Sequence, residues 1–219
     1  EKLIKILLSG VAAVAFMFVA FMPFGNDPIH GISVIINQYV ETLASYPYMT
    51  VNAFNIYGAI GKNWTGLTTA GSIIGYCLIG VVVAYSAYVF FKSKSPDKYY
   101  ISAFILVFGT FMLSVKMHER YAFPGMAMLM LALIAVPNTR RFLMFGLFSL
   151  SQFFNTAWIL LIYQQDINTY FRSPVVTVAS IINIILSVYF VYVIQKDCVN
   201  YKEPVAVKAG KVKSSYSKA

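Results

Sequence analysis

Apolar residues run through this chain in long blocks rather than alternating with polar ones. The blocks match a bilayer, since about 20 helical residues cross a hydrocarbon core of roughly 30 Å. Six such runs cover residues 3–24, 70–91, 99–117, 121–136, 142–163 and 175–195, and each predicts a membrane-crossing helix. Breakers or charges mark their ends. Pro23 and the turn-rich Gly25, Asn26, Asp27 and Pro28 close the first run, and Lys92, Lys94 and Lys98 close the second. Pro124 falls in the opening turn of the fourth, where its missing N–H costs little. The first run is too long for a removable signal peptide, and no small-residue cleavage site follows it. It begins within three residues of Glu1 and no Met opens the chain, so an upstream portion is expected.

Residues 25–69 break this pattern by mixing Tyr, Phe, Ile and Trp with Asn, Gly and Pro. Ile35, Ile36, Tyr39, Val40 and Leu43 recur at helical spacing within 32–43, which predicts an amphipathic helix lying at the membrane interface. Beyond it, Tyr46, Tyr48, Asn52 and Asn55 lie in an aromatic stretch that leads to Gly58, Gly61 and Trp64. Amides among aromatic rings suit a sugar, because rings stack on C–H faces while amides bond hydroxyls. An aromatic belt with Asn residues capping turns accounts for the same pattern. The expected fold class is therefore all-α, a polytopic membrane protein of about six transmembrane helices with an external interfacial segment between the first and second. Its parts are a first helix (1–24), the external segment (25–69), a five-helix bundle (70–195) and a basic cytoplasmic tail (196–219) whose Lys/Ser-rich end predicts disorder.

Composition agrees with this reading. Of the 219 residues 59% are hydrophobic and only 11% are charged, against roughly 25% charged in a soluble domain. The net charge of +9 would suggest nucleic acid if it formed a patch, but the cations are spaced between apolar runs. Membrane lipids, and no nucleic acid, are the expected partners. With both termini in the cytoplasm, thirteen of the seventeen Lys and Arg residues lie inside, leaving Lys62, Lys116, Arg120 and Arg172 outside. That distribution follows the positive-inside rule. Two cysteines, Cys77 and Cys198, supply no disulfide framework or thiolate metal site; packing is expected for Cys77 and a juxtamembrane thiol for Cys198. Two histidines are too few for a typical His-rich metal site, and neither a metal nor a cofactor is expected. Asn63, Trp64 and Thr65 match a glycosylation acceptor pattern that often arises by chance. Acidic residues inside the runs are lacking, which argues against a proton-coupled transporter.

One cluster opposes the charge bias. Lys116, His118, Glu119 and Arg120 crowd the outer end of the third run. On a helix Lys116 and Arg120, four apart, would share a face, and an anion such as a lipid-linked phosphate would relieve their repulsion. His118 would add a hydrogen bond or move a proton, and Glu119 would orient Arg120 or His118. Cations favouring a helix C-terminus, with Glu119 pairing across a short hairpin, are the structural alternative.

The stretch from Ser45 to Gly58, followed by Lys116-Met117-His118-Glu119-Arg120-Tyr121-Ala122-Phe123-Pro124, resembles the C-terminal half of bacterial GT-C glycosyltransferases of the GPI-anchor-type mannosyltransferase group. The second stretch also resembles the His-Glu-Lys motif of the dolichol-pathway glucosyltransferases, with Arg120 in place of Lys. The resemblance covers residues 46–137. It implies a polytopic inverting enzyme of the bacterial cell membrane that takes a sugar from a polyprenyl-phosphate donor and passes it to an acceptor at the external face. It implies catalytic roles for His118 and Glu119, donor-phosphate binding by Lys116 and Arg120, and sugar or acceptor contact by Tyr46, Tyr48, Asn52 and Asn55. The general base of this class is an acidic residue in a first external loop, for which this chain has no counterpart. The catalytic carboxylate is therefore expected in an N-terminal half or a partner membrane chain. A transporter or flippase of a lipid-linked saccharide, or a non-catalytic membrane subunit, would use the same external residues.

Overall fold

A computed structural model describes residues 2–24, 28–162 and 173–202. Asp27, Arg172 with most of its loop, and the Lys/Ser-rich stretch from residue 208 lie outside the described residues. The chain divides into two compact units between Pro47 and Tyr48. In the first, α1 (Lys2–Phe21) is followed by a 3-10 turn (Met22–Phe24) and α2 (Pro28–Ala44). The Tyr39 hydroxyl reaches the Met17 sulfur at 3.9 Å, joining α2 to α1. Helix α2 covers the stretch where the apolar spacing predicts one.

The second unit is mostly helical, with α3 (Ile56–Ala59), α4 (Thr69–Lys92), α5 (Lys98–Leu113), α6 (Pro124–Ala135), α7 (Thr139–Ile162) and α8 (Pro174–Ile194). Two two-residue strands, β1 (Thr50–Val51) and β2 (Met117–His118), pair at one end. Four rings from three helices form the centre of the bundle. Phe104 and Phe108 of α5 meet Phe148 of α7 edge-on, each at 5.3 Å, and Phe190 of α8 closes on Phe108 at 5.4 Å. Such pairs add about 0.5–1.5 kcal/mol each beyond the area they bury. Helices α4 and α5 approach closely because Gly109 has no side chain. A Cβ there would come within 2.8 Å of Val82.

Among the described residues, three helices are long and apolar enough to cross a membrane: Thr69–Lys92, Thr139–Ile162 and Pro174–Val199. Their outward faces carry Ile73, Val81, Phe153, Leu160, Ile185 and Val188, all exposed, a surface compatible with lipid contact. Shorter apolar helices cover Leu7–Phe21, Lys98–Leu113 and Pro124–Ala135. The third run thus ends four residues before its expected limit. At 16 and 12 residues, α5 and α6 measure about 24 and 18 Å, each short of the roughly 30 Å core.

Helix α5 stops where it does because its last carbonyls have partners from another segment. The Asn55 Nδ2 donates to the Phe111 carbonyl and the Tyr57 hydroxyl to the Leu113 carbonyl, both at 3.2 Å. These fill positions that a helix terminus leaves unbonded. Ser114 then turns extended, and the chain passes into β2.

At the other end of α4, about 36 Å away along its 24 residues, charges expected only to orient the chain are paired. Arg141 meets Asp97 at 2.7 Å with both side chains buried, and Arg140 grips Asp197 with Nε and Nη2 at 2.6–3.0 Å. Arg141 also donates to the carbonyls of Val136 and Asp197. The helical path continues through a π-turn, Gln195–Val199, so the packed structure extends beyond the expected tail boundary at 196. The two cysteines, expected as a packing residue and a juxtamembrane thiol, differ in exposure. Cys198 is buried against Ser93, whereas Cys77 is exposed on α4.

Candidate functional site

The two stretches that carry the resemblance lie far apart in sequence and come together side by side. Thr50 pairs with Met117 and Val51 with His118 in parallel, and Asn52 forms a further bridge to His118. On the opposite side of Thr50 lies Asn63, with the Trp64 N–H donating to the Thr50 carbonyl at 2.8 Å. Three backbone segments therefore lie in the order 63–64, 50–52, 116–118. Lys116 N–H donates to the Met49 carbonyl at 3.0 Å and the Thr50 hydroxyl to the Met117 carbonyl at 3.3 Å.

Side-chain amides from the bundle hold this patch. Asn155 of α7 accepts from Phe54 N–H at 3.2 Å and donates to the Asn52 carbonyl at 2.8 Å. One turn earlier on α7, Gln152 donates to the Glu119 carbonyl at 2.6 Å. Asn183 of α8 donates to the Phe54 carbonyl at 2.8 Å. One helix thus grips both stretches, satisfying backbone groups of irregular chain that burial would otherwise leave unbonded. Sequence reasoning passed over these amides. Their signal was available, since a polar side chain within an apolar run is costly unless it has a partner.

The cationic cluster differs from the helical arrangement expected for it. Lys116 lies beyond the end of α5 with φ of 59°, so helical spacing does not put it on one face with Arg120. Arg120 is 62% exposed, contacts Glu119 at 3.4 Å and lies 5.8 Å from the Tyr121 ring. The Glu119 side chain is only 14% exposed and stands 4.0 Å from His118 Nδ1. His118 is buried at 4% exposure with its ring 5.1 Å from that of Tyr121. Burial, and secondarily the Arg120 charge, lower its pKa to about 4, so the imidazole is neutral at pH 7. A neutral ring both donates and accepts hydrogen bonds, while the exposed guanidinium supplies the charge.

The amides prove to be framework. Asn55 is fully buried, its Oδ1 capping α3 through Tyr57 and Gly58 N–H and its Nδ2 bonded to Phe111. It is a cap and a tie, and its burial gives the side chain a framework role in place of the exposed contact expected of it. Asn52 is nearly buried, and its Oδ1 accepts from Trp64 Nε1 at 2.8 Å and Asn63 Nδ2 at 3.3 Å. That same bonding buries Asn63, so the acceptor pattern at 63–65 does not present its asparagine. Tyr48 stands edge-on to Trp64 at 5.1 Å and is half-buried. Tyr46 is exposed in the first unit. The structure thus groups Tyr48, Asn52, Lys116, His118, Glu119 and Arg120 at one end of the second unit. Among the described residues no group of three or more His, Cys, Asp or Glu side chains gathers as a metal site.

No family model, curated protein or solved structure matches this chain.

Proposed function

We propose that this chain is the C-terminal membrane part of a GT-C type glycosyltransferase, mannosyltransferase-like, acting on a polyprenyl-phosphate-linked sugar at the external face of a bacterial membrane. The pairing of Thr50–Val51 with Met117–His118 carries the reading, because it joins the two stretches of the resemblance around exposed Arg120 and buried, neutral His118. Lys116 and Arg120 take the donor's phosphate and Glu119 orients Arg120. His118 donates a hydrogen bond near the sugar phosphate. As the acceptor oxygen attacks the anomeric carbon, the bond from that carbon to the phosphate oxygen breaks. The acceptor proton passes to a carboxylate outside residues 1–219, and the cations stabilise the departing phosphate. Tyr48 contacts the sugar or acceptor, and Asn52 supports it through its bonds.

The same proposal takes six spans, α5 and α6 included, with both ends of the chain cytoplasmic. The Lys and Arg distribution supports that orientation. Transfer of labelled sugar in detergent tests the activity, since transport cannot be scored there. His118→Ala and Arg120→Ala should each abolish most transfer while still inserting into membranes, and near-normal activity in both would refute the assignment.

A further inference from the structure

Among the described residues, the non-glycine residues with positive φ are Asn52 at 57°, Trp64 at 55° and Lys116 at 59°. All three belong to the three-segment patch. Asn tolerates this conformation, but a bulky indole does so only at a cost of about 1–3 kcal/mol, which the surrounding structure must hold in place. Trp64 is held at several points. Its N–H bonds Thr50, its indole Nε1–H bonds Asn52 Oδ1, and its ring meets Tyr48 edge-on. The residue nevertheless remains only half-buried. An aromatic fixed in orientation, strained and still not fully buried is expensive to build as core.

Its position gives it a use. Trp64 N–H bonds Thr50, Thr50 pairs with Met117, and Lys116 and His118 flank Met117. Adjacent strands lie about 4.8 Å apart, so the Trp64 backbone is about two strand spacings from the segment bearing the cations. We infer that Trp64 is a sugar-stacking residue, its indole receiving the C–H face of a pyranose whose phosphate lies toward Lys116 and Arg120. Asn52 is then the positioning residue that fixes the ring's orientation. This rests on the proposed function and adds a residue that neither motif stretch contains. Rings stack on apolar C–H faces without reading individual hydroxyls, so Trp64 gives affinity for a hexose ring, and the choice among hexoses lies with polar groups.

Trp64 and Trp158 are the two tryptophans of the chain. Trp158→Phe therefore leaves Trp64 as the sole fluorescent indole, in a detergent without a sugar headgroup. Mannose 1-phosphate should shift Trp64 emission to shorter wavelength in a saturable manner as the sugar shields the ring from water. Inorganic phosphate should leave the emission unchanged while competing for the site. In phosphorus NMR titrations of mannose 1-phosphate, Trp64→Phe should bind within about threefold of wild type and Trp64→Ala about tenfold more weakly. Unchanged emission at concentrations that saturate the NMR titration refutes stacking while the anion site stands. A Trp64→Phe variant as weak as Trp64→Ala also refutes it, because the indole would then matter only through its bond to Asn52. Absence of binding by both mannose 1-phosphate and phosphate overturns the anion site itself, and the stacking role with it. The emission arm needs no substitution at Trp64, so it stands even where Trp64→Ala fails to fold.

Discussion

The Asn155 side chain reaches out of α7 to the Asn52 backbone, its Nδ2 donating to the Asn52 carbonyl at 2.8 Å, while its Oδ1 accepts from Phe54 N–H. Both bonds are buried and serve backbone groups outside regular structure, so removing them leaves a donor and an acceptor unsatisfied. Asn155→Ala should destabilise the protein by on the order of 3 kcal/mol. Asn155→Asp should do no better, because a carboxylate would face the Asn52 carbonyl without a proton to donate. Thermal unfolding in detergent, with hydrogen exchange across residues 50–55, reads both effects. Wild-type protection of those amides in either variant would show that α7 does not hold the segment.

Asn55 offers a contrast between support and contact. Its Oδ1 caps α3 and its Nδ2 bonds the end of α5. Asn55→Ala should cost about 1–3 kcal/mol, combining a lost cap with an unsatisfied helix carbonyl. Asn55→Asp keeps the cap and should recover part of that stability. Any loss of sugar affinity in these variants should follow their melting temperatures. A variant that melts normally and fails to bind sugar would return Asn55 to direct contact.

The buried pair at the far end should behave differently from surface charges. Asp97 and Arg141 meet at 2.7 Å, and burial pushes the Asp97 carboxyl up against the pull of Ser95 and Arg141. Arg141→Met strands that carboxylate and should cost about 3–5 kcal/mol. The double variant with Asp97→Asn should be less destabilised than the sum of the two single ones. Additive losses in thermal unfolding would show that the charges do not depend on each other.

Neutral His118 sets a pH dependence. Its pKa in the fold is about 4, below the ordinary 6.5, with burial the larger cause and Arg120 the smaller. The unfolded chain therefore binds more protons between these values. The contribution to stability is complete above about pH 6.5, is lost as pH falls toward 4, and changes little below that. Histidine NMR on a His30→Gln background, where His118 is the remaining histidine, should give a midpoint near 4. A midpoint near 6.5 would mean that the ring is solvated and carries charge at mildly acidic pH.

The long helices were legible because their exposed and core residues are both apolar, which leaves α4, α7 and α8 as unbroken runs. The end of α5 was hidden in the same uniformity. Val115 and Met117 continue the apolar pattern, but Asn55 and Tyr57 take the helix's last carbonyls and β1 takes the chain that follows. Those contacts join residues more than fifty positions apart, beyond any local periodicity. Gln152 and Asn155 are amides in an apolar run, a signal that was open to reading, although nothing local names their partners. Counting Arg140 and Arg141 only for orientation concealed two ion pairs, because a topology rule counts charges without locating their counterparts. For the site, the residue types were readable from the two motifs. Their conformations, left-handed Lys116 and buried His118 above all, follow from the pairing of the two stretches.

Donor dependence of sugar transfer in the Arg120 series tests the central claim most directly. Labelled transfer is followed across polyprenyl-phosphate-mannose concentrations for wild type, Arg120→Lys and Arg120→Ala. If Arg120 holds the donor's phosphate, Arg120→Ala should raise the half-saturating donor concentration by about tenfold or more, with Arg120→Lys intermediate because it keeps the charge but loses the two-pronged fork. Half-saturation and rate both unchanged in Arg120→Ala would contradict the account.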